Sequence, residues 1–155
     1  MKTNETILKL TKTDEPHVVD FIESILDREY PEVPHHHVVD DLDKLYETYQ
    51  GKRDTFLIIK NNGAIVGTVG IKEENPQVAL LRRLFVAPEY RNKGFGTKLV
   101  EEVIRFCEQM KYEMILFRGT NHMGRAIRIV EKLGFIKRDL VDFGDFHIFI
   151  YAKLL

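Results

Sequence analysis

The sequence predicts an α/β fold of the mixed α+β kind, a central twisted mixed sheet flanked by helices, in a single domain over residues 1–155. Three observations carry that expectation. Apolar residues switch repeatedly between the period of strands and that of helices. A strand, helix, strand, helix run occupies the centre of the chain, which requires locally parallel pairing inside an otherwise antiparallel sheet. A chain of 155 residues that is 44% hydrophobic is large enough for one substantial core. No low-complexity tract, internal repeat or Gly/Ser linker invites a division.

In chain order, residues 7–10 read as a short strand. Asp14 and Pro16 then open a helix whose Val18, Val19, Ile22, Ile25 and Leu26 recur at helical spacing. The Y-P-E-V-P-H-H-H stretch, residues 30–37, breaks that pattern with its prolines. A second amphipathic helix is expected over 38–49, with Leu42, Leu45, Tyr46 and Tyr49 on one side. Strands at 55–60, 64–72 and 78–86 form an antiparallel meander, with Asn62-Gly63 turning the first pair. Residues 94–110 form a helix with a buried stripe of Leu99, Val103, Phe106, Cys107 and Met110. Residues 114–117 are a short apolar strand, and 123–133 a helix stopped by Gly134. Residues 135–154 form a last hairpin turning near Gly144.

Composition excludes some classes of function. With 23 Lys plus Arg against 24 Asp plus Glu, the formal net charge is -1, so bulk attraction to nucleic acid or anionic membrane is not expected. The single cysteine forbids an intramolecular disulfide, and neither a secretory leader nor an 18-residue apolar run is evident. A cytoplasmic setting is the resulting expectation.

The chemistry concentrates in L-R-R-L-F-V-A-P-E-Y-R-N-K-G-F-G-T-K-L-V, residues 81–100. A buried strand passes through a proline turn and a glycine-punctuated loop directly into a helix. Unpaired N–H groups gather at the helix start, where the macrodipole is positive, and make an anion site suited to a diphosphate. Arg91 and Lys93 add cations and Thr97 adds a hydroxyl donor. The dinucleotide fingerprint is disfavoured because Leu99 stands where its third glycine belongs, and the triphosphate loop G-x-x-x-x-G-K-[S/T] is absent. The plain alternative is that Gly94 and Gly96 only permit a tight helix entry.

Read with A-I-R-I-V-E-K-L-G-F at 126–135, this loop resembles the GNAT superfamily of N-acetyltransferases. Arg91, Gly94 and Gly96 match that family's Arg/Gln-x-x-Gly-x-Gly/Ala loop. Ala126, Glu131, Lys132, Gly134 and Phe135 match its later motif. The resemblance covers residues 64–135. It implies an acetyl-CoA dependent acyltransferase, with acetyl-CoA as co-substrate in a cleft where the strand ending at Val86 splays from the strand at 114–117. Backbone groups of Leu84, Phe85 and Val86 would meet the pantetheine arm as an added strand would. Amides of Asn92, Lys93, Gly94, Phe95, Gly96 and Thr97 would hold the diphosphate, and Asn121 resembles the family's pantetheine-contacting Asn loosely. The acceptor would be a primary amine of a small molecule or a peptide or protein N terminus, without a metal; the oligomeric state stays open, with strand edges near the C terminus able to pair two subunits as a homodimer.

Two side chains of the family's catalytic pattern are missing. Leu80 stands where many relatives carry a Glu base, and Val130 where many carry a Tyr that serves the departing thiolate. Substitutes are Glu73, Glu74, His36, His37 and His122 as bases, with Tyr151 and Tyr112 as acids; Glu73, Glu74 and Tyr151 are taken as the catalytic set. A lysine-like amine with pKa near 10.4 takes roughly 4.6 kcal/mol to deprotonate at pH 7, whereas an α-amine near 7.8 takes about 1 kcal/mol. A weakly basic acceptor therefore lessens the need for a base. A CoA-binding or sensor domain without turnover, and a nucleotide-binding module using the same loop, are the rival readings.

The remaining polar residues have bland readings. His35, His36 and His37 are consecutive and cannot all face one ion from a regular element, so a metal is not expected. Arg82 and Arg83 adjoin on a strand and should point to opposite faces; a solvated or ion-paired contact is the plain reading, and one of them meeting an acceptor carboxylate is the functional one. Asp40, Asp41 and Asp43 favour a helix start electrostatically. Cys107 reads as a packed core thiol. Arg125 and Arg128 are solvated helix charges or contacts to a ribose phosphate.

Overall fold

The computed structural model describes residues 5–29, 41–120, 122–145 and 147–155. A seven-stranded mixed sheet in the order β1-β2-β3-β4-β5-β7-β6 forms its centre. The strands are β1 (Glu5–Lys9), β2 (Thr55–Asn61), β3 (Ala64–Glu73), β4 (Val78–Val86), β5 (Met114–Thr120), β6 (Ile136–Asp142) and β7 (His147–Leu154). The helices are α1 (Glu15–Glu29), α2 (Leu45–Thr48), α3 (Phe95–Gln109) and α4 (Gly124–Lys132). β4 and β5 pair in parallel and every other neighbouring pair is antiparallel; α3 makes the crossover between β4 and β5 expected from the sequence, and α4 carries the chain from β5 past β7 to β6.

Strand alternation divides the apolar residues between two cores. Ile59, Val69, Ile71, Leu81, Ile115, Phe117 and Tyr151 face α3 and α4, joining Leu99, Val103, Cys107 and Val130. Phe56 and Ile58 face the other way and pack with Val18, Ile22 and Leu26 of α1 and with Leu45 and Tyr49. Two glycines of β3 let bulky groups approach the sheet. A Cβ on Gly67 would meet Leu99 Cδ1 at 3.0 Å, and one on Gly70 would meet the Tyr49 ring at 2.9 Å.

α1 begins where expected. The Asp14 N–H donates to Thr11 Oγ1 at 3.1 Å, and that hydroxyl donates back to the Asp14 carboxylate. The second helix differs from its expected span. Leu42–Lys44 is a 3-10 turn and α2 covers only Leu45–Thr48, with Lys44 out of helical geometry between them. Asp41 precedes that turn but makes no capping bond, because its carboxylate is engaged elsewhere. β5 runs three residues past its expected end because Arg118, Gly119 and Thr120 pair with β7.

Candidate active site

β4 carries the local irregularity on which the site depends. Thr68 pairs with Phe85 and Gly70 with Arg82, so Val69 alone opposes Arg83 and Leu84. Arg83 is the extra residue of this bulge and takes a left-handed φ of 57°. β4 pairs with β5 only from Val78↔Met114 to Leu81↔Phe117; beyond that point the parallel strands carry on without pairing and open a V.

The bulge overturns the expected divergence of Arg82 and Arg83. Both guanidiniums turn to the α1–α2 face and reach Asp41. Arg83 donates through Nη2 to Oδ1, and through Nε to Oδ2 at 3.3 Å, while Arg82 Nη2 lies 3.9 Å from Oδ2. The Tyr49 hydroxyl also donates to Asp41 Oδ2, at 3.0 Å. Burial, then the Asp41 charge, pushes the Tyr49 phenol well above its ordinary range and keeps it a donor. Asp41 is thus a buried ion-pair centre rather than the helix-start charge expected from the sequence.

After β4, Pro88–Tyr90 makes a 3-10 turn and Arg91 is extended. Asn92 and Gly94 have φ of 63° and 83°, and α3 begins at Phe95. The Lys98 N–H bonds back to Gly94 O at 3.0 Å, so the N–H groups of Phe95, Gly96 and Thr97 point out of the helix start, and no side chain caps them. Gly94 is required by its dihedral, with open space around it. Gly96 is required by packing, since a Cβ there would meet Ile129 Cδ1 at 2.6 Å and Val86 Cγ2 at 3.3 Å. The plain reading of Gly96 as a glycine that permits a tight helix entry accounts for this packing.

Arg91 is a clamp. Its Nε donates to Val86 O at 3.0 Å, and its two terminal nitrogens grip both oxygens of Glu29, the last residue of α1. Arg125 of α4 also reaches Glu29 Oε2, at 3.1 Å. The bond from Arg91, ahead of the surrounding positive charge, holds the Glu29 carboxyl below its usual range. Arg91 is therefore largely neutralised, and it shapes the loop rather than presenting an uncommitted cation.

A groove of about 770 Å³ runs from the loop to the open V. Leu84, Phe85, Val86, Arg91, Asn92, Gly94, Phe95, Gly96 and Thr97 line it; Lys93 does not, and sits 5.3 Å over the Tyr90 ring. The Ala87 N–H bonds to Val66 O of β3, so strand alternation turns the Val86 N–H toward the groove. The opposite wall is α4, where Arg125, Arg128 and Lys132 bring positive charge. The motif reading matched Lys132 without giving it a place in the groove and gave Ile129 no role, although the helical spacing of Arg125, Arg128 and Lys132 marked one basic face.

The proposed catalytic set does not meet at the V. Glu73 lies at the far end of the β3–β4 hairpin, opposite Ala79, and pairs with Arg53 at 2.5 Å; Glu74 follows it into the turn. Ala79 stands three residues before Arg82, where the V opens, on the order of 10 Å, and seven before Val86, on the order of 23 Å. Tyr151 is buried on the α4 side, where its hydroxyl donates to Glu131 Oε2 at 3.3 Å, and burial and that charge raise its pKa. Tyr112 donates to Arg53 O at 2.9 Å, near the Glu73 end. Among the described residues His122 is the one imidazole that lines the groove. Cys107 is fully buried, and desolvation pushes its thiol up to about 12, which makes it inert. His35, His36, His37, Asp40 and Asn121 lie outside the described residues. No group of three or more His, Cys, Asp or Glu among the described residues could hold a metal ion. No helix among them is long and apolar enough to cross a membrane.

A mixed sheet split between two parallel strands, with a glycine loop feeding a helix start at the split, defines the class as an acetyltransferase fold. Solved acetyltransferases share it. One from Streptococcus agalactiae 2603 superposes with a TM-score of 0.83 at 26% identity, covering 97% of this chain and 98% of that one. One from Salmonella typhimurium, described with its cofactor acetyl-CoA, gives 0.77 at 18% identity over 97% and 94%. The chain belongs to the acetyltransferase (GNAT) family, whose sequence model matches residues 19–135. A probable N-acetyltransferase, camello, from Xenopus tropicalis is 31% identical over 99 residues, 63% of this chain and 44% of that protein. The chain spans about half the length of the curated relatives it matches.

Proposed function

We propose that the chain is an acetyl-CoA dependent N-acetyltransferase that moves acetyl directly to a primary amine of a small molecule or a peptide or protein N terminus. The observation that carries this reading is the continuous groove between the α3 start and the open V. It offers outward N–H groups at one end and a free strand edge at the other. The acetyltransferases described with acetyl-CoA or with coenzyme A support it.

The residues present fit such a ligand. N–H groups of Phe95, Gly96 and Thr97 would hold the diphosphate, with Asn92 and Gly94 shaping the turn that exposes them. Arg125, Arg128 and Lys132 would face the outlying phosphate charge. The edge of β4 over Leu84, Phe85 and Val86 would pair with the amide-bearing arm. The co-substrate supplies a thioester; in the transfer a C–N bond forms, the C–S bond breaks, and the proton lost by the amine leaves with the thiol. The chain's part is to place the acyl carbonyl at the V and to offer it backbone N–H groups. With Leu80 and Val130 at the usual carboxylate and phenol positions and Glu73, Glu74 and Tyr151 elsewhere, His122 is the remaining described candidate for proton removal. That same arrangement favours a second reading, a CoA-binding domain of this fold without turnover. A homodimer formed at the β6 edge belongs to the main reading.

Calorimetry with acetyl-CoA, followed by thiol release across a panel of amines, tests both. We expect binding that weakens at least about tenfold in Gly96→Glu, whose side chain would crowd Ile129 and Val86 and bring a negative charge into the groove. Binding without thiol release from any amine selects the second reading, and no heat at all sinks both.

A further inference from the structure

We propose that the acceptor is an amino acid-like molecule whose amine lies beside a free carboxylate, and that Arg118, with Arg82 next to it, is the specificity-determining recognition element. This deepens the acetyl-transfer reading and rests on it.

The inference starts from where the V opens. Leu81↔Phe117 is the last β4–β5 pair, which makes Arg82 and Arg118 the first residues beyond it, one on each strand. Leu81 and Phe117 are buried in the α3–α4 core, so alternation sends Arg82 and Arg118 to the opposite face, the one bearing Tyr49 and Asp41. The groove that fits the thioester donor is walled by α4, on the first face. An acceptor meeting that donor at the V thus comes from the face on which these two guanidiniums stand.

Two cations on neighbouring strands repel each other, and an anion placed between them relieves that repulsion. Asp41 makes close contacts to Arg83 and Tyr49 and an ion pair to Arg82 at 3.9 Å. Arg118 is exposed and makes no hydrogen bond or ion pair among the described residues. A guanidinium fork matches a planar carboxylate through two parallel hydrogen bonds, which a lone amine acceptor would not use. Leu80 and Leu116, paired with each other on this face, and Ile150 opposite Arg118 are half-buried and offer apolar contact beneath it. A carboxylate held at the vertex would keep an amine on the adjacent carbon beside the incoming carbonyl. A long peptide would have to supply its own anion there.

The test compares matched acceptors: amino acids of varied side chain, the corresponding amino acid amides, and the decarboxylated amines. Thiol release should give kcat/KM values about 10- to 100-fold higher for the acids. In Arg118→Gln that preference should collapse toward unity, and Arg118→Lys should restore part of it. Binding of the N-acetylated acids and amides to protein loaded with coenzyme A gives the same contrast without turnover. Amides used as well as acids, a preference unaltered in Arg118→Gln, or no binding of any acid to the loaded protein overturns the proposal. Absence of acetyl-CoA binding, by contrast, overturns the acetyl-transfer reading itself. The calorimetric response to acetyl-CoA also reports that each variant is folded.

Discussion

At the scale of single residues, Asp41 governs the corner where the V opens. Asp41 and Arg83 expose only 6% and 7% of their side chains, so deleting one leaves a buried charge unmatched. Asp41→Ala should lower unfolding free energy by about 3–5 kcal/mol, read from urea denaturation. Tyr49→Phe removes only the hydroxyl donated to Asp41, so it should lose about 1.5–3 kcal/mol while keeping the ring that Gly70 accommodates. If the two variants proved equal to wild type, Asp41 would not be the organising charge. The two loop glycines should also separate. Gly94→Ala meets no neighbour but puts a Cβ at a φ of 83°, a penalty of about 1–2 kcal/mol. Gly96→Ala instead crowds Ile129, and Gly96→Ala combined with Ile129→Val should recover stability that Gly94→Ala with Ile129→Val does not.

At the scale of elements, the join of α1, the glycine loop and α4 rests on one carboxylate. Glu29 closes α1 and holds both Arg91 and Arg125. Its folded pKa is lowered from an ordinary value of 4.5, mainly by the Arg91 bond. The sign follows directly: a depressed carboxylate pKa contributes stability that is fully present above 4.5 and is lost as pH falls through the folded value. Wild type and Glu29→Gln should therefore differ by a constant Tm gap at neutral pH, and the gap should close below pH 4.5. A gap that persisted unchanged into acid would mean that the ionised pair does not supply it. Since Arg91 also holds Val86 O, the same variant should weaken acetyl-CoA binding at neutral pH.

At the scale of the whole molecule, the sheet ends in β6, which is exposed along its length. Ile136 is 60% exposed, Leu140 48% and Phe143 54%, an apolar set beside an unpaired strand edge. Light scattering should give twice the chain mass, and Ile136→Lys with Leu140→Lys should restore the single mass with the fold intact. A single mass for the unaltered chain at tens of micromolar would overturn the pairing at this edge.

How much of this was legible in the sequence follows from the range of the forces involved. Strand and helix periods are local, so the β2–β3–β4 meander, α3 and its stripe, and the final hairpin were readable from spacing alone. The helix entry from Arg91 to Thr97 was readable too, because the first N–H groups of a helix have no intrahelical partner whatever surrounds them. The bulge at Arg83 was not, since it depends on how β3 and β4 register. It alone turns both arginines to one face and makes Asp41 a buried partner. The failure of Glu73, Glu74 and Tyr151 to reach the V has the same origin. Nearness in sequence to β4 says nothing about which end of the hairpin, or which face of β7, a side chain occupies. The sequence by itself determined the class of fold and the glycine-punctuated helix start that lines the groove, through local periodicity and helix-end chemistry. Only the tertiary structure decided which charges face one another across the V, because strand register and sheet faces are set by long-range pairing.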